Sequence, residues 1–178
     1  MKTFKVTGII LKSKTLFEKD KMIDIFTLEK GRVRVLGKGF QTPKKVQVGR
    51  LEPFNVVTCV IQSGRQFLYC RQCDLLQAFP AIRQSYNKLM MGLFFLDIVY
   101  KASAEYQVNT SLYHLLLSTL VELESSDDVL SVCQSFYRQF LKNEGLLYSQ
   151  DQELSEFEFL RAFENYSGKI LSPPRLLT

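Results

Sequence analysis

A β-plus-α chain, with a small N-terminal barrel and a C-terminal helical domain, is the fold class this sequence predicts, on three observations. The hydrophobic period is about two as far as residue 79 and about 3.6 after Pro80. Glycine, proline and serine turn signals cut the first part into short β-branched and aromatic runs. Capping residues followed by apolar stripes mark out the second part.

The runs at 4–13, 21–29, 32–39, 54–62 and 66–76 are read as five strands, separated by Glu29-Lys30-Gly31, Thr42-Pro43 and Ser63-Gly64. Tight turns at Lys30-Gly31 and Ser63-Gly64-Arg65 fit two antiparallel hairpins. A five-stranded antiparallel unit of this size closes most simply as an OB-like barrel, which removes exposed sheet edges. An SH3-like barrel or a small open sheet remains compatible with the same runs. The barrel is placed at residues 1–79 and the helical domain at 80–178.

Pro80 suits the first turn of a helix running to about Ala102, with Ile82, Tyr86, Leu89, Met90, Leu93, Leu96 and Tyr100 at helical spacing. Met91, Phe94, Phe95 and Ile98 make it apolar all round, which predicts a central, buried helix. Thr110 or Ser111 is read as the cap of a second helix carrying Leu112, Leu115, Leu116, Leu120 and Leu123. Ser126 or Asp127 is read as the cap of a third, whose stripe Val129, Val132, Cys133, Phe136, Tyr137, Phe140 and Leu141 ends at Gly145. The Ser155-x-x-Glu158 pattern opens a fourth, bearing Phe157, Leu160 and Phe163 and stopping before Gly168.

The net charge of +5 conceals a strong asymmetry. Residues 1–50 hold thirteen lysines and arginines against four acids, a surplus of nine, while the remainder is net negative by four. A field segregated in this way points to a polyanion bound by the N-terminal part, nucleic acid first and an anionic membrane surface second. The longest apolar run, 89–99, is broken by Gly92 and Asp97 and is too short to span a bilayer. No basic, apolar and small-residue sequence typical of a secretion signal opens the chain, so a cytoplasmic location is expected. Cys59, Cys70, Cys73 and Cys133 lie scattered in apolar segments, as reduced buried thiols do.

Catalytic chemistry finds little to work with. His114, the sole histidine, stands among Leu112, Leu115 and Leu116 and reads as an ordinary helix residue rather than a base. Gly31 to Gly39 is not a phosphate loop, because its glycine spacing is one too long and no Ser or Thr follows Lys38. Cys70-Arg-Gln-Cys73 lacks the second ligand pair that a structural zinc site needs. In a regular strand, residues three apart also face opposite ways. No catalytic residue, metal or cofactor is therefore expected.

The basic segment is more specific. Arg32 and Arg34 alternate with Val33 and Val35, so a strand sends the valines inward and both guanidinium groups to solvent. Lys12 and Lys14 end the first strand and Lys19 and Lys21 flank the next loop. Lys38, Lys44, Lys45 and Arg50 lie in or beside the loop after the third. These are the places where an OB barrel meets its ligand. Phe17 and Phe40, in loops among the lysines, are the candidates for stacking on unpaired bases.

Those residues also carry a resemblance. The stretches Gly8-Ile-Ile-Leu-Lys-Ser13, Glu18-Lys-Asp20, Ile25-Phe-Thr-Leu-Glu-Lys-Gly31, Gly37-Lys-Gly39 and Gly49-Arg-Leu-Glu-Pro-Phe54 follow one another as in the N-terminal domain of the bacterial RecO family. The similarity is clear over residues 4–90 and looser in the helices, at Ser85-Tyr86 and over 136–145. Tyr166-Ser-Gly-Lys169 with Ile170-Leu-Ser-Pro173 is similar to the family's closing segment.

The resemblance implies an OB domain before a helical one and a non-enzymatic role in recombinational repair. It also implies binding and annealing of single- and double-stranded DNA. Its implied partners are a RecR-like protein and the tail of single-strand binding protein, with no membrane contact. Many members carry a four-cysteine zinc segment between the later helices. Here Gly145 leads through a short polar stretch to the last helix without those cysteines, so the chain resembles a shortened, zinc-free member. Two rivals stay open on the residues alone: an adaptor whose helices bind a protein, and an RNA-binding barrel.

Overall fold

A computed structural model describes residues 2–16, 19–40, 49–146 and 154–177. Strands β1 (Thr3–Leu16), β2 (Asp20–Thr27), β3 (Gly31–Gly37), β4 (Val56–Ser63) and β5 (Leu68–Gln77) close into a barrel in the order β1-β2-β3-β5-β4. Every neighbouring pair is antiparallel except β3 and β5, which run parallel through Val35 with Leu68 and Leu36 with Tyr69. The OB-like barrel is thus the architecture adopted, in preference to an open sheet.

Alternation fills the interior. Val33 and Val35 of β3, Ile23 and Ile25 of β2, Val57, Cys59 and Ile61 of β4, and Val6 and Ile10 of β1 form one core cluster. Each such side chain contributes roughly 1.5–3 kcal/mol on burial. Three register shifts interrupt the ladders, one of them at Leu76 near the end of β5, and the other two change which side chains face that core. Register slips by one residue at Leu11 in β1 and at Arg71 in β5, each leaving an extra residue opposite the partner strand.

The second bulge overturns the expectation that Cys70 and Cys73 face opposite ways. With Arg71 looped out, Cys70 pairs with Ile61 and Cys73 with Cys59, and both sulfurs enter the core. Hydrogen bonds with the Cys70 and Cys73 thiols, together with burial, push the Cys59 thiol far above its ordinary range. All three are free thiols.

The β2–β3 hairpin turns as the sequence suggests. Gly31 sits at φ 67, the left-handed region, and the Thr27 hydroxyl accepts from the Lys30 N–H at 3.0 Å while donating to the Gly31 carbonyl at 2.8 Å. Strand β4 starts two residues after its expected Phe54, because Phe54 itself adopts φ 76. That conformation is held by the Phe54 N–H on the Ile10 carbonyl and by the Asn55 amide on the Gly49 and Arg50 carbonyls.

The chain divides into two compact units, Met1–Ala78 with Ser103–Asn109, and Phe79–Ala102 with Thr110–Thr178. The segment 103–109 lies on the start of β3. Tyr106 N–H donates to the Arg32 carbonyl at 3.0 Å, and Arg32 and Glu105 form an isolated bridge.

The second unit holds α1 (Pro80–Gln84), α2 (Tyr86–Ala102), α3 (Thr110–Ser125), α4 (Val129–Asn143) and α5 (Glu156–Ser167). The single helix expected over 80–102 is broken at Ser85, which is extended at φ −107, ψ 125. The break is stable because both new ends are satisfied. Glu124 accepts from the Ala81 and Ile82 N–H groups at 2.9 Å, capping α1 from across the unit. The Ser85 carbonyl accepts from Leu89 at 2.8 Å and starts α2.

The cap of α4 is Asp128, whose carboxylate accepts from Ser131 N–H, one residue beyond the expected pair. The α5 capping box forms as read, with Gly168 left-handed at its end. Its apolar stripe differs, however. Phe159 and Phe163 are buried and Phe157 is exposed. Phe159 is selected because its ring stacks on Tyr137 with centroids 4.0 Å apart.

Two predictions follow from the barrel. A Cβ at Gly31 would lie 2.0 Å from the Gln107 carbonyl oxygen and would sit in the left-handed region. Gly31→Ala should therefore lower stability by at least about 1 kcal/mol, read as the urea midpoint, and an unchanged midpoint would contradict the packing of 103–109 on this turn. The thiols of Cys59, Cys70 and Cys73 should react with a disulfide reagent at neutral pH only as fast as the barrel opens, and immediate labelling of the native protein would refute their burial.

Candidate nucleic-acid interface

The Leu11 bulge decides where the first two candidate lysines point. Val6 and Ile10 face the core, so unbroken alternation would carry Lys12 and Lys14 inward as well. With Leu11 looped out, Lys12 and Lys14 both lie exposed at the end of β1. Lys19, in the turn before β2, is exposed too.

Of the two arginines of β3, Arg34 reaches the solvent face as expected and Arg32 does not. Val33 and Val35 are fully buried, as alternation requires. Asp24 of β2, itself 6% exposed, stands opposite Arg34 in register. Arg34 grips it through Nε at 2.8 Å and Nη2 at 3.4 Å. Arg32 points away from the core but is not on the solvent face. It is 9% exposed, with Nη1 3.5 Å from Glu105 and 3.8 Å from Asp24. The physical reason is the segment 103–109, which covers this end of β3 and supplies Glu105.

Two further cations are also neutralised within the barrel. Lys21 pairs with Glu52, and Arg50 donates to the Cys73 carbonyl at 2.7 Å and lies 3.3 Å from the Asp74 carboxylate. Lys38 is exposed, in no ion pair among the described residues, and its ammonium sits 5.2 Å from the centre of the Tyr69 ring. The charge surplus therefore sorts into cations whose charge the fold consumes and cations it leaves to solvent. Lys14, Lys19 and Lys38 belong to the second class.

Of the two aromatic candidates, Phe40 is 4% exposed and belongs to the barrel core, where it packs against Gly37 and Ile23 and is unavailable for stacking. Phe17, Lys44 and Lys45 lie outside the described residues. An exposed aromatic of the barrel lies outside the candidate residues. Phe67, 45% exposed, precedes β5, in which Tyr69 and Arg71 follow at intervals of two. That spacing was a legible signal of a shared strand face. It went unweighed because these residues fall beyond the basic first fifty.

His114 is exposed on α3, in a groove shared with Ser111, Ser118, Gln139 and Asn143. Among the described residues no group of three or more His, Cys, Asp or Glu side chains is arranged to hold a metal ion. Among the described residues no helix is long and apolar enough to cross a membrane.

Comparison with known proteins agrees with the barrel fold. Residues 1–79 match the family described as "Recombination protein O N terminal". The chain is similar to the DNA repair protein RecO of Pelotomaculum thermopropionicum, 28% identical over 71% of this chain and 50% of that one. It is 30% identical to the RecO of Caldanaerobacter subterraneus, over 70% of this chain and 51% of that protein. For Trichodesmium erythraeum the figures are 32%, 69% and 43%. The chain spans about half the length of the curated relatives it matches.

The placement of Arg32 is directly testable. Removing one partner of a buried ion pair typically costs about 3 kcal/mol or more. Arg32→Gln should lose part of that, about 1–2 kcal/mol in urea unfolding, since Asp24 keeps Arg34 while the Arg32 contacts to Asp24 and Glu105 are lost. A variant of parental stability that only bound nucleic acid more weakly would restore Arg32 to the solvent face.

Proposed function

The chain belongs to the RecO family of DNA repair proteins, and on that premise we propose that its basic barrel binds and anneals single-stranded DNA, helping to replace single-strand binding protein in recombinational repair, without catalysing a reaction. The observation that carries this reading is the sorted surface charge. Lys14, Lys19 and Lys38 are exposed and stand in no ion pair among the described residues, so they can meet phosphates without breaking an ion pair within the protein.

The mechanism is electrostatic. Each lysine that neutralises a phosphate releases condensed counterions, which favours binding and makes it fall steeply with salt. Two strands held with their charges screened repel each other less, and complementary segments then find register faster than they do free in solution. The barrel at residues 1–79 is the DNA-binding part, and the helical part from residue 80 is where we place protein partners. The family resemblance names those partners as a RecR-like protein and the tail of single-strand binding protein. The net negative charge beyond residue 50 fits a role for that half other than phosphate contact.

Affinity for an unstructured oligonucleotide should fall linearly on a log–log plot against salt. Replacing Lys14, Lys19 and Lys38 together by Gln should reduce the magnitude of the slope by about two, at roughly 0.7 per single-strand phosphate contact. The parent should also accelerate annealing of complementary oligonucleotides over the spontaneous rate. Salt-independent binding, or no binding at any salt, would favour the adaptor reading instead.

A further inference from the structure

Between β4 and β5 the chain turns through Gly64, Arg65, Gln66 and Phe67, closed by the Gly64 N–H on the Phe67 carbonyl at 2.9 Å. The Tyr69 ring lies under this turn. A Cβ at Gly64 would stand 2.3 Å from its Cε2, so the glycine is what lets backbone and ring meet. Two cations lie over the same ring, Lys38 with Nζ 5.2 Å and Arg71 with Cζ 5.4 Å from its centre. Lys38 reaches it from just past the end of β3 and Arg71 from β5, because β3 and β5 are joined at Leu36 and Tyr69. Arg71 is exposed on β5, and Gln62 accepts from its Nε at 2.6 Å.

Tyr69 thus carries two cations over its ring and is itself half-covered, while Phe67, two residues before it in the chain, is 45% exposed. Neither Lys38, Arg65 nor Arg71 stands in an ion pair among the described residues. An exposed ring beside uncompensated cations complements one chemistry in particular, a flat apolar base flanked by phosphates. A base offers its face to such a ring only when it is unpaired and unstacked.

We propose that the β4–β5 hairpin is a single-strand reading site, in which one unpaired base stacks on Phe67 while Lys38 and Arg71 hold the phosphates on either side. Tyr69 is a positioning residue that sets the spacing of those two cations. This deepens the reading of the barrel as a DNA-binding part and rests on it. It adds a selection between unpaired and paired strands that exposed lysines alone do not provide, since charge attracts both.

The chain contains no tryptophan, so Phe67→Trp places a single reporter at the site. With the 178-residue variant, oligo-dT should quench its emission, while a hairpin duplex at equal occupancy should leave it unchanged. Phe67→Ala should weaken oligo-dT binding about ten-fold and leave duplex affinity and the salt slope as in the parent. Lys38→Gln with Arg71→Gln should weaken both forms and flatten the slope. Because Phe67 is exposed, its variants should keep the parental urea midpoint, which controls for folding. If the parent binds DNA but Phe67→Ala binds oligo-dT normally, or loses duplex affinity equally, the stacking site is wrong while the DNA-binding reading stands. If the parent binds no nucleic acid, both fall.

Discussion

The parallel contact of β3 with β5 is two residue pairs long, yet it turns a four-ladder antiparallel sheet into a closed barrel. Without it both strands would present unpaired backbone edges, and the valines of β3 would line an open cleft rather than a filled interior. Closure also fixes the surface chemistry. It carries the end of β3, with Lys38, to the face of β5 that bears Tyr69 and Arg71. The core and the exposed cation cluster are consequences of the same short ladder.

Electrostatics then divides the basic residues by the acids that folding brings beside them. Asp24 sits opposite Arg34 on the neighbouring strand and near Arg32, and a buried carboxylate of this kind is tolerable only when cations satisfy it. Arg32 and Arg34 therefore serve the fold before they serve a ligand. Lys14, Lys19 and Lys38 face solvent with no such claim on them. A surplus read over fifty residues indicates a polyanion partner, but only the cross-strand register says which cations remain to meet it.

Much of the barrel was legible in the sequence, because β-branched runs alternating with polar residues dictate inward and outward faces. Val33 and Val35 show this, as does the left-handed turn at Gly31. What alternation cannot reveal is a bulge. One extra residue at Leu11 sends Lys12 and Lys14 outward, and one at Arg71 sends Cys70 and Cys73 to the same side. Long-range cover was equally invisible. Nothing local to Arg32 foretells that Glu105 will lie over it, nor does anything near Pro80 announce that Glu124 will cap a separate short helix there. Phe40 reads as a loop aromatic among charges until closure of the barrel gives it a core to complete.

The central claim is that the nucleic-acid surface consists of the cations the fold leaves unpaired, not of the whole basic segment. Titrating the uniformly ¹⁵N-labelled full chain with unlabelled oligo-dT and following backbone amide shifts tests it residue by residue. The account predicts shifts at Lys14, Lys19, Lys38 and along residues 65–71, with Arg32 and its neighbours in 103–109 little changed. Shifts confined to the helical segments, or centred on Arg32, would contradict it.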